Sequence, residues 1–210
     1  MGKDNLAHPI VIIEPNYRGH RMVYCRLISE LAAKKCHPLI LATSSDTLSS
    51  AEFRTHLLHL KQSIELFDLG PLAASADMAY QRSILKNIDE LKSIYPDAKV
   101  LVMEGDKFVV PLGFFRSSHR RDITVLIMRA PGFVWGIKRA ALAGLIKRLG
   151  MALSRARGVT VKVLAPALRA APSYEYRGFS AVPDPVDLAS TPESIDRYRK
   201  EVGVGGARVW

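Results

Sequence analysis

Three places in this 210-residue sequence combine residue types that can do chemistry. The first is Arg18-Gly19-His20, between an apolar run and a helical pattern. Amide groups that open a helix, with the helix dipole behind them, favour an anion. Glycine lets the backbone approach it closely. The pattern is not G-x-G-x-x-G, so a complete dinucleotide site does not follow. A plain turn, with Gly19 serving geometry, fits the same residues. The second place is Glu104-Gly105-Asp106, at the end of another apolar run. A carboxylate at the carboxyl end of a buried strand can orient a hydroxyl or take its proton. It can equally cap the next helix. Asp106 ranks ahead of Glu104 as the candidate base. The third is Arg129, followed by Ala130-Pro131-Gly132 and then Phe133 and Trp135. A guanidinium there suits a phosphate or an acidic acceptor, or it pairs with an acid such as Asp106. The two rings can stack on a sugar or lipid, or simply pack.

These residues need elements to hold them. Ile10–Ile13, between Pro9 and Glu14-Pro15, reads as a buried strand, because all-apolar runs belong to parallel sheets covered on both faces. Arg21–Lys35 carries Val23, Leu27, Ile28 and Leu31 at helical spacing. Pro38–Thr43 is the next strand, so a parallel pair with a helical crossover is expected. Further on, the pattern predicts a helix over Ser49–Leu60 capped by Ser49 or Ser50, a strand over Ser63–Phe67 and a helix over Ala74–Ile94. A strand over Lys99–Glu104 and a short helix over Phe108–Ser117, with Pro111 near its first turn, come next. Strands over Asp122–Met128, Val159–Leu164 and Phe179–Pro183 complete the set, with a helix over Ile137–Arg157 between the first two. The alternation implies an α/β sandwich with a mainly parallel sheet.

Charge is unevenly placed. The net charge is +10, yet between Lys107 and Ala170 thirteen basic residues face one acid, Asp122. Such a field favours anionic partners. In the helix over Ile137–Arg157, Leu142, Leu145, Ile146, Leu149 and Leu153 share one arc, away from Lys147, Arg148 and Arg155. That arc either packs on the core or forms an interfacial surface for anionic lipid. No uncharged run approaches the ~20 residues of a membrane span, and no signal peptide is evident. A cytoplasmic protein, peripheral on the inner membrane face where it meets lipid, is the expectation. Cys25 and Cys36 read as reduced thiols. His8, His37, His56, His59 and His119 share no metal spacing, so neither metal nor cofactor is expected.

Taken in order, several of these segments resemble a known group. Ile12-Ile13-Glu14-Pro15-Asn16-Tyr17-Arg18-Gly19-His20-Arg21, with the helix and strand that follow, looks like the opening of many family-four glycosyltransferases. Gly105-Asp106 is similar to a Gly-Asp step in some of them. Leu126–Pro131 resembles the strand whose end faces their cleft, and Val182–Asp187 resembles their interdomain linker. The resemblance implies the Rossmann-like N-terminal half of a GT-B architecture, over residues 1–182. A linker and short helix would follow over 183–206, with the start of a second domain at 207–210. It implies transfer of a sugar from a nucleotide-diphosphate donor to a hydroxyl of a glycan or glycolipid, with retention of configuration. Arg18, Gly19 and His20 would touch the donor phosphate or sugar. Asp106 would be catalytic, and Glu104, Arg129, Phe133 and Trp135 would bind the acceptor. The donor-binding second domain, with its pair of glutamates, has no counterpart in the sequence, so activity of this chain alone is not expected. Two other classes remain open: a non-catalytic Rossmann-like binding module, and a basic nucleic-acid-binding protein. Against the latter, aromatic residues are not interleaved with the basic ones and no named motif occurs.

Overall fold

The computed structural model describes residues 8–72, 78–115, 120, 122–128, 138–164 and 180–182. The chain begins with β1 (Ile10–Ile13), α1 (Arg21–Lys34) and β2 (Leu39–Thr43). Two short helices, α2 (Ser45–Ser49) and α3 (Ala51–His56), and a 3-10 turn (Leu58–Ser63) lead to β3 (Glu65–Asp68). Then come α4 (Met78–Ile94), β4 (Lys99–Val102), α5 (Gly105–Phe114) and β5 (Ile123–Ile127). The last elements are α6 (Lys138–Ala156), β6 (Thr160–Leu164) and β7 (Ser180–Val182).

The seven strands form one sheet in the order β3-β2-β1-β4-β5-β6-β7. Every pairing is parallel, with Ile12 opposite Leu41 on one side and Leu101 on the other. This is the doubly wound, Rossmann-like order, and it reverses direction between β1 and β4. The period-2 alternation of strand side chains divides the core. Val11 and Ile13 join Val100, Val102, Val125, Ile127 and Val163 against Ile84 and Ile88 of α4 and Phe108 and Leu112 of α5. Ile12 joins Leu41 and Leu126 against Met22 and Cys25 of α1 and Phe53 of α3.

Several boundaries differ from the sequence expectation. The single helix over Ser49–Leu60 is two helices, because Ser50 is extended (φ −70°, ψ 157°) and breaks the run. Ser44 caps α2 by accepting the Thr47 N–H, and Ser50 caps α3 by accepting that of Phe53. The third strand starts two residues later, at Glu65. Helix α5 begins at Gly105 rather than Phe108, so Pro111 lies in its interior and not in its first turn. Asp106 therefore sits inside the first turn, and Glu104 holds the cap position.

Helices α5 and α6 meet backbone to backbone. A Cβ built on Gly113 would lie 2.5 Å from the Gly150 carbonyl oxygen, and one on Gly150 would lie 2.8 Å from Val110 Cα. Ser154 Oγ donates to the Val109 carbonyl across the same contact. The face of α6 that meets its neighbours is therefore Gly144, Gly150, Met151 and Ser154, all buried. Leu145, Ile146 and Leu149 are 60%, 42% and 48% exposed. Core packing is thus corrected for Leu145, Ile146 and Leu149, while Leu153 is half-buried and the Leu142 side chain lies outside the described residues: glycines make the close contact, and a close contact excludes large side chains.

Candidate functional site

Strands β1 and β4 are neighbours at the reversal of the sheet, and a glutamate follows each, Glu14 directly after β1 and Glu104 two residues beyond β4. In open α/β sheets this is where the chain leaves a crevice for ligands. Glu14 is fully buried and Glu104 is 2% exposed. Arg21, the first residue of α1, reaches between them. Its Nη1 donates to both oxygens of Glu14, at 3.0 and 3.2 Å, and its Nη2 donates to Glu104 Oε1 at 2.8 Å. Lys107 also pairs with Glu104. A cation in the first turn opposes the helix dipole, and two carboxylates offset that cost. The Glu14 carboxyl is pushed up to about 7. Burial is the main cause, and repulsion from Glu104 adds to it, while Arg21 opposes both.

The Asn16–His20 loop lies over this cluster. Asn16 N–H donates to Glu14 Oε1 at 2.9 Å, and Arg18 N–H to Asn16 Oδ1 at 3.0 Å. Gly19 has φ +74°, a left-handed turn that an L side chain rarely adopts, in otherwise open space. His20 occupies the cap position of α1 without a side-chain cap, and no acid lies in the first turn. The exposed Arg18 guanidinium rests 6.0 Å from the Tyr17 ring centroid. The loop thus joins a cation, an uncapped helix start and a glycine in a left-handed turn.

Asp106 faces the next strand. Its Oδ2 accepts the Met128 N–H at 3.1 Å and its Oδ1 accepts Lys147 Nζ at 2.7 Å. It thereby ties α5, α6 and the end of β5 together. The turn is tight: a Cβ on Gly105 would lie 2.6 Å from the Leu126 carbonyl oxygen. Arg129, Phe133 and Trp135 lie outside the described residues, as do the linker and second-domain segments over 183–210.

Of the sequence candidates, the structure brings Arg18, Gly19 and His20 to the carboxyl end of β1, and Glu104 and Asp106 to that of β4. Sequence reasoning missed Glu14, Arg21, Lys107 and Lys147. A signal for the first existed, since an acid directly after an all-apolar strand must find a partner when buried. Tyr80 on α4 was missed too. Its hydroxyl is buried and has no hydrogen-bond partner among the described residues. Burial first, then Glu104, Glu14 and Asp46, pushes it up to about 12, so it keeps its proton.

Among the described residues, no group of three or more His, Cys, Asp or Glu is placed to hold a metal ion, and no helix is long and apolar enough to cross a membrane. Cys25 is buried and Cys36 exposed, both as free thiols. No protein-family model matches the chain, and no curated protein is significantly similar to it.

Proposed function

We propose that this chain is the acceptor-side domain of a sugar transferase, moving a glycosyl group from a nucleotide-diphosphate donor to a hydroxyl of a glycan or glycolipid. The observation that carries the reading is the Arg18–His20 turn. It opens an uncapped α1 at the carboxyl end of β1, beside the reversal of the sheet. Departing diphosphate needs cations and amide donors held in place beforehand, and this turn supplies both. The ordered resemblance along the chain supports the same reading.

In this proposal Asp106 positions the cleft wall. With both oxygens occupied by the Met128 N–H and Lys147, it holds the end of β5 where Arg129, Phe133 and Trp135 follow as acceptor-side candidates. Asp106→Ala should cut transfer by about 100-fold. Asp106→Asn, which keeps an acceptor for Met128, should retain most of it. Equal loss in both variants would instead make Asp106 a proton acceptor.

The test of the function itself is transfer of labelled sugar by the native protein, purified from its source, from a panel of nucleoside-diphosphate sugars. Gly19→Ala should weaken donor binding at least tenfold while lowering stability by only about 1 kcal/mol. No transfer and no saturable binding of any such donor would sink the reading. Binding without transfer would favour a non-catalytic module. One observation speaks for that second reading: Glu14, Glu104 and Asp106 are all engaged by cations or N–H groups of the chain itself.

A further inference from the structure

Helix α6 turns its large side chains away from the protein. At 100° per residue, Leu149 lies about 160° round the helix from the buried Met151, and Leu145 and Ile146 lie on either side of it. All three are exposed, so the apolar stripe faces outward from the sheet and not along a groove.

Positive charge gathers near its carboxyl end. Arg155 and Arg157 are exposed, and Arg120 is partly buried beside Arg157, both donating to the Phe115 carbonyl. Burial and the proximity of Arg157 hold the Arg120 guanidinium below its usual range. The wider segment carries thirteen basic residues to one acid.

We infer that α6 is a docking helix for an anionic lipid surface, with Leu145, Ile146 and Leu149 inserted at the headgroup boundary and the basic residues at its end, Arg155 about 120° round the helix from Leu149, reaching the headgroups from the flank of that stripe. A second copy of the chain is a poor occupant, because a one-signed field repels itself. Three side chains also fall far short of the ~800 Å² per partner that a stable protein interface buries. A soft, negatively charged surface needs no complementary shape and rewards this combination of apolar stripe and basic charge. The inference does not depend on the sugar-transfer reading, since it uses none of the residues of the β1–β4 crevice.

The experiment is co-sedimentation of the full chain with two kinds of vesicle, phosphatidylcholine alone and phosphatidylcholine mixed equally with phosphatidylglycerol. Wild type should bind the mixed vesicles in low salt, bind neutral ones far more weakly, and release at high salt as the charges are screened. Leu145→Gln/Leu149→Gln should lower affinity for the mixed vesicles at least about tenfold with an unchanged thermal melt, since both positions are exposed. Arg155→Gln/Arg157→Gln should lower it about tenfold or more and flatten the salt dependence. Wild-type binding by the leucine variant, or no preference of the native chain for anionic vesicles, would overturn the inference. So would a leucine variant that shifts the chain from dimer to monomer while leaving vesicle binding intact, which would identify a second copy as the occupant.

Discussion

Valine at position 150 should destabilise the protein by about 3 kcal/mol or more, read as a lower urea midpoint at unchanged slope. The atoms in the way are backbone. A Cβ there would stand 2.8 Å from Val110 Cα and 3.0 Å from the Val109 carbonyl oxygen. Neither can rotate aside, so α5 and α6 must part. Parting them breaks the hydrogen bond from Ser154 Oγ to Val109 and strains the Lys147–Asp106 pair. Valine at Gly113 should act similarly, since its Cβ would meet the Gly150 carbonyl at 2.5 Å. Valine at the exposed Ala152 is the control and should change stability by no more than about 0.5 kcal/mol. If Gly150→Val matched that control, the close approach of the two helices would be wrong.

The second large effect concerns the paired glutamates and is read through pH. The Glu14 carboxyl moves from 4.5 to about 7 on folding. The folded state therefore holds that proton more tightly than the unfolded chain. The resulting stability is fully present below pH 4.5 and is lost as pH rises through 7. The full difference is on the order of 3 kcal/mol. Glu14→Gln should remove that slope, and the difference between wild type and variant isolates it from other titrations. Arg21→Met should cost about 3–5 kcal/mol at pH 8, where a buried carboxylate loses its cation. The cost should be much smaller at pH 5, where Glu14 is protonated. Urea midpoints at the two pH values check this. An Arg21→Met penalty independent of pH would mean that packing, not charge, makes Arg21 matter.

The strands were the most legible part of the molecule. Ile10–Ile13 is apolar without a break, and Leu39–Thr43 and Ile123–Ile127 each carry a single threonine, a pattern that a sheet covered on both faces explains. The parallel pairing followed from the helices between them. Helix faces were less legible. The leucine arc of α6 has the periodicity of a core face, yet the helix buries Gly144, Gly150 and Met151 instead. Periodicity registers side-chain size, and it cannot register a backbone contact made by residues without side chains. Pro111 pointed to a first turn, but the close seat of Gly105 on Leu126 starts α5 earlier. At the site, glycine and terminal acids could be placed at strand ends from the sequence. The pairing of Glu14 with Glu104 through Arg21 could not, because it depends on β1 lying beside β4.

That adjacency also shapes how the chain must fold. Ile10 of β1 pairs with Lys99, eighty-nine residues later in the chain. The β1–β2 and β2–β3 pairings close over much shorter loops. During synthesis, one edge of β1 stays open, with its N–H and C=O groups unpaired, until β4 has emerged. Docking of β4 carries the largest loop-closure entropy among the pairings of β1 and should set the folding rate. Until then β1 offers Ile10-Val11-Ile12-Ile13 to any other strand. Conditions that slow synthesis or crowd nascent chains should therefore favour aggregates nucleated at β1, in a protein whose finished sheet buries that strand between β2 and β4.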